Sequence, residues 1–199
     1  SGQNLFQQQR LAAVGRLWTS VLELREHFSR PVIYFTILEP SEYDSVFEKG
    51  GPLSKSISDF DNESTALLPK QTAHVEKDRP DLGETLWYQF YSYRAFIGRI
   101  GYLIREGIRQ GHFTDWRDDP GVHQLLCYVL SEQQYMPLLN SKKDPSALYK
   151  ALGLLESLIL REISLITSGR QSSFESFENA EELRDALSGL RPTEGQPKE

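Results

Sequence analysis

The chain has 199 residues, 39% of them hydrophobic and 25% charged, with a formal net charge of −6. That length and balance suit one soluble domain with a single core, and the acidic total argues against nucleic acid as a partner, whose phosphates attract Lys and Arg. The longest uncharged run, Pro120 to Ser131, falls far short of the roughly 18 residues of a membrane span, and the single cysteine, Cys127, excludes an internal disulfide and suits a cytoplasmic setting.

Ser1-Gly2 reads as a tag-removal scar, so a membrane anchor before Gln3 is compatible with the sequence, on whose cytoplasmic side the domain would then lie. Charge is unevenly spread. From Glu39 to Glu84 there are 11 acids against 5 bases, whereas Thr85 to Arg117 holds 5 bases against 2 acids.

The first predicted helix runs from Asn4 to about Phe28. Leu11, Val14, Trp18, Val21 and Phe28 take an a/d rhythm, Leu17 and Leu24 widen the stripe, and Arg25 interrupts it. Pro31 is expected to end this helix, leaving Pro31 to Leu38 as a short helix or an extended segment. Ser41 is read as the cap of a brief helix through Phe47. Leu53 to Pro80 reads as one long polar loop, with a turn or two of helix at Ser54 to Phe60.

The central helix is predicted over Asp81 to Gly111, with Asp81 as N-cap, Glu84 completing a capping box and Gly111 as the stop. Leu86, Phe90, Tyr93, Ile97, Ile100, Ile104 and Ile108 recur at helical spacing along one face. Asp119-Pro120 starts a third long helix, running to about Leu139 and burying Val122, Leu125, Leu126, Val129 and Leu130, with Pro137 ending or kinking it. Asp144-Pro145-Ser146 starts a fourth, striped by Leu148, Leu152, Leu155, Ile159, Ile163 and Ile166 up to Gly169. The expectation is an all-α, four-helix bundle domain over residues 1–170, with short accessory helices and one long polar loop. Residues 171–199 are expected to be a linker, a short amphipathic helix from Asn179 through Leu183, Leu187 and Leu190, and a polar tail. The helix order resembles small helical domains that follow an N-terminal anchor in bacterial membrane proteins; no function follows from that.

Candidate site residues cluster on the central helix. Trp87, Tyr88, Phe90, Tyr91, Tyr93 and Phe96 surround its start and read chiefly as core, with a pocket or partner face as alternatives. Arg94, Arg105 and Arg109 fall on one side of the helix, either as a clamp for an anionic ligand or as a solvated, acid-paired face. Gly98 and Gly101 suggest a close helix crossing. His123 and Cys127, one turn apart, are weak candidates for metal ligands, and no metal or other cofactor is expected.

No HExxH, GxSxG, P-loop or strand-linked GxGxxG is present, and no Glu precedes a His by three residues as in di-iron bundles. The leading expectation is a non-enzymatic interaction module that binds a protein partner or itself, as part of a larger or anchored assembly. The alternative is an anionic small-molecule binder or enzyme, with a pocket at Arg94, Tyr93 and Trp87 roofed by the polar loop.

Overall fold

The computed structural model describes residues 2–47 and 67–168, and every regular element among them is helical. In chain order these are α1 (Gly2–Ile37), a 3-10 turn (Pro40–Glu42), α2 (Tyr43–Phe47), α3 (residues 67–76), α4 (Arg79–Leu82) and α5 (Glu84–Gln110). A second 3-10 turn (Trp116–Asp118), α6 (Pro120–Val129), α7 (Glu132–Asn140) and α8 (Ala147–Thr167) follow. Among the described residues no helix is long and apolar enough to cross a membrane. Two compact units meet in sequence within α8, residues 1–160 and 161–199. In the second, the described part is the end of α8, where the Ser168 N–H donates to the Ser164 carbonyl at 3.1 Å.

α1 buries Val14, Leu17, Val21, Leu24, Phe28, Val32 and Phe35, steps of three and four along one stripe. Leu17 and Leu24 are therefore the centre of the seam and not its margin. Val14, Val21 and Phe28 are buried as expected, whereas Leu11 is exposed and Trp18 half-buried. The helix also continues past Pro31, where a break was expected. A proline inside a helix costs about 3 kcal/mol. Burying two large apolar side chains returns roughly 1.5–3 kcal/mol each, and here Val32 and Phe35 lie beyond the proline. Phe35 packs on Tyr43 (ring centroids 5.0 Å) and Phe113 (4.7 Å), which favours carrying the helix on to Ile37.

Ser41 is not a cap. It lies within the Pro40–Glu42 turn, where the Glu39 N–H donates to the Glu42 carboxylate at 2.9 Å. The expected loop is also corrected from residue 67 onward, where α3 and α4 stand. Leu68, Gln71 and Val75 form the inner face of α3, Gln71 and Val75 being buried. A glutamine in the middle of that short stripe erased its apolar signal. Residues 48–66, including the Ser54 to Phe60 turn, lie outside the described residues, as do Gly169 and the helix expected from Asn179.

α5 begins at Glu84 after Gly83, whose φ of 80° favours glycine, while Asp81 belongs to α4 and caps nothing on α5. Its end is as expected: Gly111 is left-handed (φ 69°) and its N–H donates to the Gly107 carbonyl at 2.8 Å. Leu86, Phe90, Tyr93, Ile97, Ile100 and Ile104 are all buried, and Ile108 at the far end is exposed.

Asp119 caps α6 as expected, accepting the Val122 N–H at 2.9 Å. The third long helix, however, is two short ones. The backbone turns extended at Leu130, and Ser131 with Gln134 opens α7 by a capping box, the Ser131 N–H donating to Gln134 Oε1 at 3.0 Å. Pro137 lies inside α7 and ends neither helix. At the start of α8, Asp144 accepts the Ser146 N–H at 2.9 Å and receives Lys150 Nζ at 2.6 Å. The result is an all-helical fold with three long helices, α1, α5 and α8.

Candidate functional site

Three helices of the first unit leave a groove of about 310 Å³ between them, at the small end of ligand pockets. Phe28 and Val32 of α1 and Ile97 of α5 line it with buried apolar surface. Ile33 and Tyr149, from α1 and α8, stand on it with 51% and 67% of their surface exposed. Apolar groups of that size left in water beside an apolar groove form a continuous sticky surface. Gly153 keeps the α8 side low, since a Cβ there would meet nothing within 4 Å.

One side of the groove is polar. The buried Tyr93 hydroxyl donates to Glu156 Oε1 at 2.9 Å, and Arg25 Nη1 donates to Glu156 Oε2 at 3.2 Å. Burial first, and the neighbouring carboxylate second, push the Tyr93 phenol well above its usual range, so it stays a neutral donor. The Glu156 side chain is 13% exposed and each of its oxygens is engaged, whereas Arg25 is 53% exposed and commits one nitrogen to Glu156.

Of the candidate site residues on α5, Tyr93 alone lines this groove, beside Ile97 of the apolar stripe. Trp87 lies under the Arg79 guanidinium (5.2 Å) and beside Tyr91 (6.4 Å). Arg94 also stacks on Tyr91 (5.5 Å) and donates to Thr72 of α3. Trp87 and Arg94 thus share Tyr91 on the α3/α4 side, and none of the described residues 67–80 lines the Tyr93 groove. Arg105 sits over Tyr102 (5.5 Å), and Arg109 pairs with Glu106 at 2.7 Å. Arg94 and Arg105 are separated by about 16 Å of helix rise, too far to grip one small anion together.

A Cβ on Gly98 would lie 3.5 Å from the Leu68 side chain of α3, an ordinary contact that does not by itself require glycine. Gly101 is half-buried. Trp87, Phe90, Tyr93 and Phe96 are core, while Tyr88 and Tyr91 are exposed. His123 Nε2 lies 2.5 Å from the Arg117 carbonyl, which only accepts, so that nitrogen carries its proton and is no metal ligand. Cys127 is exposed, with Sγ on the Gln124 carbonyl at 3.2 Å, and the described residues hold no cluster of three metal-ligating side chains.

Two arginines that drew no attention in the sequence hold the fold around α6. Arg99 binds Asp119 through two nitrogens, at 2.8 and 2.7 Å, and pulls that carboxyl below its usual range. Arg117, fully buried, reaches Asp115 at 3.1 Å and the Asp144 carbonyl at 2.6 Å, tying the second 3-10 turn to the start of α8. Arg25 was visible too, as the charge that broke the expected seam. Its misfit was the signal. No protein-family model matches the sequence, and neither a curated protein nor a solved structure shows significant similarity to it.

Proposed function

We propose that the protein is a non-enzymatic interaction module whose α1/α5/α8 groove receives one amphipathic helix of a partner protein. The observation that carries this reading is the coincidence of exposed Ile33 and Tyr149 with the apolar groove they flank. Helix-in-groove recognition uses large apolar side chains one turn apart on the incoming helix. A groove of about 310 Å³ has room for one or two of them. The spare N–H donors of Arg25 favour an acidic residue beside them on that helix, which gives orientation as well as contact. Binding fits the site better than chemistry, because Tyr93 and Arg25 occupy both oxygens of Glu156. A reducing compartment suits the exposed thiol of Cys127.

Selection of displayed helical peptides tests this without knowledge of the natural partner. Peptides enriched on the wild-type chain should carry two large apolar residues at i and i+4 with an acid nearby. They should lose binding to Ile33→Asp and to Tyr149→Ser, both at exposed positions that leave the core intact. Arg25→Gln should relax the acidic preference alone. Equal enrichment on wild type and on the groove variants would sink the proposal. Concentration-dependent dimerisation abolished by Ile33→Asp would instead make a second copy the occupant.

A further inference from the structure

We propose that a second groove, between α1 and α3, binds a phosphorylated small molecule bearing more than one anionic group. It measures about 700 Å³ and is separate from the apolar groove. Arg16 pairs with Asp78, just past α3, and Glu23 accepts from Gln71, so the two helices run antiparallel along its length. Small residues open it: Ala12 and Gly15 on α1 and Ala73 on α3 line it, and a Cβ on Gly15 would meet nothing within 4 Å.

Long side chains stand over that low floor, two of them lysines. Lys70, His74 and Lys77 follow at i, i+4 and i+7, one face of α3 and the turn after it. Lys70 and Lys77 are about 10 Å apart by helix rise. Neither has a carboxylate partner among the described residues, although acids outnumber bases 11 to 5 between Glu39 and Glu84. Of the charged groups lining the groove, Arg16 is paired with Asp78 and Glu23 is engaged by Gln71, which leaves the charges of Lys70 and Lys77. Arg16 is held in place by two bonds to Asp78, at 2.7 and 2.8 Å, which fix that end of the groove and balance its charge. Two free ammonium groups at that separation, bracketing a polar trough of ligand size, match an extended polyanion better than a single phosphate.

The test is calorimetric titration of the full chain, at low salt, with tripolyphosphate and with inorganic phosphate. Tripolyphosphate is expected to bind one to one and clearly tighter than phosphate. Lys70→Gln and Lys77→Gln should each weaken it about tenfold, the loss of one charge-assisted contact. Lys143→Gln, at an exposed lysine outside the groove, should leave it unchanged. Co-sedimentation with anionic phospholipid vesicles, lost in the same two variants, would assign the phosphate to a lipid headgroup and not to a soluble ligand. Absence of both tripolyphosphate and vesicle binding up to about 5 mM overturns the proposal. So does an equal loss in Lys143→Gln, which would mark general attraction to lysines.

Discussion

Asp119 does two jobs at once, and substitutions can separate them. Its carboxylate caps α6 through the Val122 N–H (2.9 Å) and accepts both Arg99 nitrogens (2.8 and 2.7 Å). Asp119→Asn keeps a side chain of equal capping rank but removes the charge. The Asp119 side chain is 6% exposed and Arg99 33%, so a stranded Arg99 can recover part of its hydration. The pair then falls between an exposed and a buried one, worth about 1–2 kcal/mol. Asp119→Ala should lose the cap as well, a further ~1 kcal/mol, for a total of about 2–3 kcal/mol.

Gly121 offers an independent route to the same pair. A Cβ there would stand 2.7 Å from Arg99 Nε and 3.0 Å from Asp119 Oδ1, so Gly121→Ala must push the guanidinium aside. Alanine's helix preference offsets up to about 1 kcal/mol of that loss, leaving a net destabilisation of roughly 0–1 kcal/mol. In an Asp119→Asn background the pair is already gone, and Gly121→Ala should become neutral or stabilising. Urea denaturation of the four proteins in this cycle measures the change of sign. If Gly121→Ala costs as much in the Asp119→Asn background as in the wild-type chain, the methyl does not act through the ion pair.

Stability should fall at both ends of the pH scale, for opposite reasons. Lys150, with Ser146, draws Asp144 down to about 2, and Arg99 draws Asp119 below its usual range. Carboxyls with lowered folded-state pKa stabilise above the unfolded value near 4 and lose that contribution as pH falls, here between about pH 5 and 2. Lys150→Met should flatten part of this acid limb in denaturation curves taken across that range; an unchanged limb would show that the contact contributes nothing. Tyr93 is shifted the other way, upward, so its contribution is intact below about pH 10 and drains as the unfolded phenol ionises. Tyr93→Phe should cost about 1 kcal/mol at neutral pH, one hydrogen bond to Glu156, and soften the alkaline limb. A neutral-pH loss with no change above pH 10 would contradict the shift.

Helix identity was legible wherever periodicity met a local signal. The α5 stripe from Leu86 to Ile104 with its Gly111 stop, Asp119-Pro120 at α6, and Leu148, Leu155, Ile159 and Ile166 of the α8 stripe are in place. Errors arose where tertiary packing overrode a local rule or where polar residues faced inward. Pro31 should stop a helix, but the distant partners Tyr43 and Phe113 reward continuing it. Ser131-x-x-Gln134 is a capping box in plain view, masked by the apolar residues on either side of it. α3 was lost because Gln71 takes an inner position and bonds to Glu23, a partner 48 residues away. The α5 arginines could be placed on one face from sequence, and Tyr102 and Glu106 stand three residues before Arg105 and Arg109, but the Arg94 partner Thr72, 22 residues away, follows only from geometry.

The same limit explains why the grooves were not foreseen on α1. A 36-residue helix has far more surface than one core seam consumes, and periodicity reports only the seam. The polar groove takes α1 residues from Ala12 to Glu23, and the apolar one takes them from Arg25 to Thr36. Each groove is braced by an arginine of α1: Arg16 on Asp78 beside α4, Arg25 on Glu156 of α8. Those braces are nine positions apart, about 13 Å along the helix, and share no partner. Physically independent sites should give additive effects, so substitutions in one groove should leave ligand binding in the other unaltered. Any coupling between them would have to travel through α1 itself, and the hydrophobic seam that packs this helix against α5 leaves it little freedom to move.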